Sequence, residues 1–260
     1  MKNGYRLAAG LCVVLALALL ARYFVSENEP IPPLLPQGSA SEEQGDVSHD
    51  PVLEIPEVSL PGQPEPSEDR PADFEQMRQS NPDVYAWITI PGIGIDYPVL
   101  QSQTDDGFYL NHDSSKHRSQ AGSLFTEHAY NGLTFTDPVT IIYGHRLKSG
   151  ALFGELQAFY SGRERFDRYK TIRIRLPEQE LTYQIFAALP YDNRHILYNY
   201  DFSNGRVYQA FFREILNTRA ISANVDAECD LSEHPRILIL STCLRGDRSQ
   251  RYLVMARQIG

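Results

Sequence analysis

Apolar residues in this chain fall into short runs separated by Gly, Pro and polar residues, and the spacing inside the runs changes from segment to segment. Residues 87–90 (Trp-Ile-Thr-Ile) alternate with a period of two and predict a strand. Pro91-Gly92 turns the chain, and 95–100 predicts a second strand. Further strands are predicted at 108–110, 123–126, 139–143, 171–176 and 181–188. The chain then closes on two apolar runs, 237–240 and 252–256, which read as an antiparallel pair. Three stretches carry a helical pattern instead. Residues 73–80 predict a short amphipathic helix capped at Asp73 and ended by Asn81-Pro82, and 151–160 predicts a second. The third is 207–216, where Val207, Ala210, Phe211, Ile215 and Leu216 recur at helical spacing. Many short strands with this punctuation predict a mainly β fold closed into a barrel, with helices flanking it.

The N-terminal pattern differs. Residues 7–21 form an uninterrupted apolar run between Arg6 and Arg22, and with its neighbours the run reaches about 20 residues, enough to cross a bilayer. Lys2 and Arg6 precede it, and acids dominate the segment on its C-terminal side. The expectation is a single-pass transmembrane signal anchor over residues 1–25, with a cytoplasmic N-terminus, an extracytoplasmic remainder and a cell-membrane location. A cleaved signal peptide competes with this, because Ala16-Leu17-Ala18 puts small residues at cleavage spacing; both readings export the domain. Residues 26–70, rich in Pro, Glu, Ser and Gly, predict a disordered linker, which leaves 71–260 as the folded domain.

Charge sharpens this division. The net charge is −9, but residues 26–69 hold eleven Asp and Glu and no Lys or Arg, while residues 70–260 hold 22 acids against 21 bases. A near-neutral domain has no basic footprint for nucleic acid, and none is expected as a partner.

The chemistry concentrates in the closing hairpin. The run at 237–240 ends in Ser241-Thr242-Cys243, and with Gly246-Asp247 near the turn Arg251 falls opposite Cys243. A permanent cation favours thiolate over thiol and can donate hydrogen bonds to a carbonyl oxygen that becomes negative under attack. A base should complete the set. His145 is the candidate, at the exit of the 139–143 strand after Tyr143-Gly144, with His112 as a local rival. Arg245 and Arg248, in the loop, are the rivals of Arg251. Cys12 lies in the apolar N-terminus and Cys229 reads as a bystander, since a disulfide to Cys243 would remove the nucleophile. His112, His117, His128, Cys229 and His234 follow no metal-ligand spacing, no dense acidic loop calls for calcium, and no cofactor is expected.

The LSTC at 240–243, the Arg closing the next loop and the IIYGH at 141–145 resemble the signature of the sortases, cysteine transpeptidases of Gram-positive cell surfaces. NPDVYAWITIPGIGIDYPVLQ at 81–101, FYLNHD at 108–113 and YGHRLKSGALFGEL at 143–156 resemble class B in particular, and the likeness runs over about residues 72–259. It implies a closed eight-stranded barrel, with a helix in the connection where 207–216 falls. It also implies Cys243 as nucleophile, His145 as general acid/base, Arg251 as stabiliser of the oxyanion, and a groove lined by Ser241, Tyr143, Leu110 and Tyr198. The partners implied are surface proteins bearing a C-terminal sorting signal cleaved after Thr, and an amine from a peptidoglycan precursor or a pilin. One departure stands out: class B relatives often carry Asn where this chain has Asp106. The alternatives are a pilin-polymerising sortase, a non-catalytic wall-binding module on the same barrel, or another Cys/His enzyme such as an L,D-transpeptidase, which would place Gly before the Cys where Thr242 stands.

Overall fold

The computed structural model describes residues 70–260 except Ile221 and Arg248, with side chains from residue 74 onward. The expected anchor at 1–25 and almost all of the expected linker lie outside the described residues, as does the rival Arg248. Among the described residues no helix is long and apolar enough to cross a membrane.

Nine strands form: β1 (Val84–Ile90), β2 (Ile95–Leu100), β3 (Leu124–Phe125), β4 (Val139–Tyr143), β5 (Thr171–Arg175), β6 (Glu180–Tyr191), β7 (Asn224–Val225), β8 (Ile237–Cys243) and β9 (Arg251–Gln258). They pair in the order β5-β1-β2-β3-β4-β8-β9-β6, and β6 pairs back onto β5. The ring is therefore closed with eight strands, which abolishes free edges. Two-residue β7 extends the β5 side of long β6, opposite Ala187 and Ala188.

Strand alternation sorts side chains between the barrel interior and its outer face. In β5, Ile172 and Ile174 are buried while Thr171, Arg173 and Arg175 are exposed. In β8 and β9, Leu238, Leu240, Tyr252, Val254 and Ala256 enter the central core. Their neighbours Ser241, Cys243, Arg251 and Leu253 consequently point to the other face. On the outside, α5 (Gly205–Leu216), capped by Asn204 accepting the Arg206 N–H at 2.9 Å, buries Tyr208, Phe211, Phe212 and Ile215. Phe212 packs edge-on to Phe186 of β6. Each such ring contributes about 1.5–3 kcal/mol by burial.

Three local expectations are corrected. Residues 108–110 are a 3-10 helix, Phe108–Leu110, closed by Phe108 N–H to Asp105 O and Leu110 N–H to Gly107 O, not a strand. Tyr109 is buried there and donates to Asp83 at 2.7 Å, so the aromatic run follows its anchor and not a pleat. Of the helix expected at 151–160, only α2 (Leu156–Tyr160) forms, because Gly150 and Leu152 take positive φ and the chain doubles back, Phe153 N–H donating to His145 O at 3.3 Å. α3 (Arg163–Arg168) and α4 (Ile196–Asn199) had no counterpart in the pattern. The first helix, α1 (Arg70–Ser80), begins ahead of Asp73.

Candidate active site

β4 and β8 run parallel, with Tyr143 opposite Ser241, and Gly144 N–H continues the ladder to Ser241 O at 3.1 Å. Both strands therefore end at the same rim of the barrel, one delivering His145 and the other Cys243. Gly144 is required by space: a Cβ there would lie 2.4 Å from Leu124 Cδ2 and 2.7 Å from Phe153 Cδ2. On the other side of β8, β9 brings Arg251 opposite Cys243. The hairpin turns through Gly246 at φ +91° and is closed by Leu244 N–H to Gln250 O at 3.0 Å.

Cys243, His145 and Arg251 line one cleft of about 280 Å³ on the outer face, together with Ser241, Tyr143 and Leu110. Arg251 Nη1 donates to Cys243 Sγ at 3.8 Å. His145 Nε2 lies 2.8 Å from the carbonyl of Leu110, so that nitrogen carries a hydrogen and donates. The bond ties the imidazole to the 3-10 helix rather than to the thiol. Leu110 is 48% exposed at the rim. Tyr198, at 76% exposed, stands on α4 outside the cleft lining, although its neighbours His195 and Ile196 are in it. Arg245 borders a separate cavity. His112 stacks on Phe108, 3.9 Å between ring centroids, and bonds the Phe108 carbonyl through Nδ1, also apart from the cleft lining.

The cleft holds groups that the sequence pattern did not single out. Glu127 accepts from His195 Nε2 at 2.9 Å and 3.1 Å. His195 Nδ1 in turn accepts the Tyr198 N–H at 3.1 Å and caps α4. These bonds fit the neutral ring with its hydrogen on Nε2. Burial, reinforced by the neighbouring Glu127 carboxylate and only partly countered by Arg251, pushes the Tyr143 phenol well up, so it stays a neutral donor. Glu127 follows the predicted 123–126 strand directly, a placement like that of His145, and could have been weighed on that ground. His195, 68 residues away, carried no local signal. Asp106 also lines the cleft, and its carboxylate accepts the Ala129 N–H at 3.3 Å.

A family model of the sortase domain matches residues 88–259. The chain belongs to the sortase family. Sortases are cysteine transpeptidases, which makes this chain an enzyme of that kind, and its relatives fall in class B. It is 29% identical over 188 residues to Sortase B of Staphylococcus aureus (strain NCTC 8325 / PS 47), across 72% of this chain and 74% of that protein. The structure of Clostridium perfringens sortase B superposes with a TM-score of 0.63 at 26% identity, covering 72% of this sortase and 99% of that chain. A Streptococcus pyogenes class B sortase involved in pilus biogenesis gives a TM-score of 0.61 at 26% identity, over 72% and 97% of the two chains. The sortase expected from the sequence is therefore the sortase found, with its eight-stranded barrel.

Proposed function

We propose that this sortase is anchored in the cell membrane by residues 1–25 and works outside it on surface proteins that carry a C-terminal sorting signal. The reading is carried by the convergence in one cleft of Cys243, a guanidinium 3.8 Å from its sulfur, and His145. The Cys243 thiolate attacks the carbonyl carbon of a Thr in the sorting motif, forming an S–C bond and moving the carbonyl electron pair onto oxygen. Arg251 donates to that oxygen, where preorganised donors act most strongly. Collapse breaks the Thr C–N bond, and the departing amine takes its proton from His145. With the Nε2 hydrogen held by Leu110, Nδ1 is the nitrogen free to give and take that proton. The thioester is then attacked by an amine of a peptidoglycan precursor, whose proton passes to His145 as the Cys243 sulfur leaves. Water in place of the amine gives slow hydrolysis. The sorting peptide lies against Ser241, Tyr143 and Leu110 in the cleft, with Tyr198 meeting it beyond the rim.

A second reading differs only in the amine: a pilin Lys, which the likeness to a Streptococcus pyogenes class B sortase involved in pilus biogenesis favours. One experiment tests both. The full chain is incubated with a library of sorting-type peptides and with candidate wall and pilin amines, and products are identified by mass. Ligated products that vanish in Cys243→Ala support the reading, and the preferred amine chooses between wall and pilus. If no peptide acylates Cys243, the domain is a binding module. Membrane fractionation of cells making the full chain, with and without residues 1–25, tests the anchor.

A further inference from the structure

Beside the cleft, on the same rim, is a second cavity of about 400 Å³, bordered by Arg146, Lys148, Arg245, Gln157 and Glu155. Arg146 directly follows His145, and Arg245 comes two residues after Cys243, so each arm of the cavity is a continuation of the strand end that delivers a candidate catalytic residue. The arms are stitched together: Arg245 N–H donates to Gln157 Oε1 at 2.6 Å, and Arg146 bridges to Leu152 in the returning loop. Three cations face one carboxylate here, and among the described residues none of the three forms an ion pair. Arg146 Nε is buried and has no hydrogen-bond acceptor. A buried guanidinium N–H without an acceptor is a costly arrangement, and it marks Arg146 as a cation that the fold leaves uncompensated beside the cavity.

We infer that this cavity binds an oxyanion, a carboxylate or phosphate, carried on the amine-bearing substrate that resolves the thioester. Arg matches the planar fork of such groups, and Lys148 and Arg245 add charge at the mouth. An anion held here tethers the substrate a few bonds from the acyl carbon on Cys243, which converts encounter of the amine into a local event. Glu155 repels a second anion and sets the charge the site accepts. The inference rests on the transpeptidase reading for its purpose, but the binding itself needs no acyl group.

The probes are triglycine as the free acid, triglycine amide and triglycine phosphoethanolamide, which present a carboxylate, no anion and a phosphate respectively. Equilibrium binding to the full chain is measured first. The acid or the phosphate probe is expected to bind at least about tenfold tighter than the amide, and whichever is tighter identifies the anion. In Lys148→Glu/Arg245→Glu, both exposed positions, the order should reverse in favour of the amide. Equal binding of all three probes by the wild-type chain, or an unchanged preference in the charge-reversed variant, overturns the inference. Aminolysis is measured second: the KM for the anionic amine should rise in Arg146→Gln, while the KM for the amide stays level. If no peptide acylates Cys243, the transpeptidase reading fails by itself, and the binding arms still decide the site.

Discussion

Arg251 stands directly opposite Cys243 in the β8–β9 ladder, its Nη1 3.8 Å from the sulfur, because the hairpin between them turns through Gly246. The rigidity of a paired strand fixes the direction of the guanidinium, which a loop Arg would lack. Arg251→Ala is expected to lower turnover of a sorting peptide by about 10² or more. The melting temperature should move by only a few degrees, since the side chain is not part of the central core. Arg251→Lys should recover part of the rate, keeping the charge and losing the fork. Turnover of the Ala variant within about tenfold of wild type would assign the oxyanion to other donors.

Two thiols in the described domain offer an internal comparison. Cys229 is half-buried, and desolvation, with help from Asp226 and Asp230 against the pull of Arg257, pushes its thiol up and keeps it protonated. Cys243 lies in an open cleft beside a cation. At neutral pH iodoacetamide should alkylate Cys243 at least about tenfold faster than Cys229, read by peptide mass mapping over time. Labelling of both at the same slow rate would leave the barrel without an activated nucleophile.

Gly144 sits between the strand and His145, with Leu124 and Phe153 closed over it. Gly144→Ala should cost about 1–3 kcal/mol of stability, the usual scale for overpacking. Displacement of the next residue should also cut peptide turnover by more than the unfolded fraction explains. Adding Leu124→Ala removes the shorter of the two contacts, leaves the one with Phe153, and should restore part of the turnover in the folded population. If Gly144→Ala matches wild type in both stability and rate, the close approach is not what the Tyr-Gly-His sequence requires.

What the sequence made legible is local or strictly periodic. Alternation at 87–90 located β1, the apolar runs located β8 and β9, the Gly246 turn placed Arg251 across from Cys243, and the short segment 143–145 carried the imidazole to the rim. What it hid depends on contacts between distant residues. The aromatic run at 108–110 reads as a strand until Tyr109 is seen bonded to Asp83 and Asn81. The apolar spacing at 151–160 reads as one helix until Leu152 adopts φ +54° to return the chain to His145. Glu127 and His195 meet only because the rim brings β3 and α4 together, and no window of residues contains both. The pairing of Cys243 with Arg251 was readable in advance; the pairing of Glu127 with His195 in the same cleft was not.

Lys170 and Asp226 tie the segment before β5 to the one after β7, with Nζ 2.8 Å from the carboxylate and both side chains only partly exposed. The same two residues hold the β6 bulge, Ile185 N–H donating to Lys170 O and Asp226 N–H to Phe186 O, each at 2.7 Å. The hydrogen bond from Lys170 is the main cause that lowers the Asp226 carboxyl below its ordinary range. A carboxyl whose folded pKa lies below its unfolded value of about 3.9 adds stability that is complete above that pH and lost as pH falls through the folded value. Lys170→Met removes the charge, and with it both the ion pair to Asp226 and the ammonium's contact over the Phe166 ring, 5.2 Å from its centroid. The stability difference between wild type and variant, from urea denaturation, should be on the order of 1 kcal/mol and flat from about pH 5 to 8. Below about pH 4 it should shrink, because the protonated carboxyl no longer gains from the ammonium. A difference that persists unchanged down to about pH 2 would trace the contribution to the Phe166 contact or the lysine stem instead of to the ion pair.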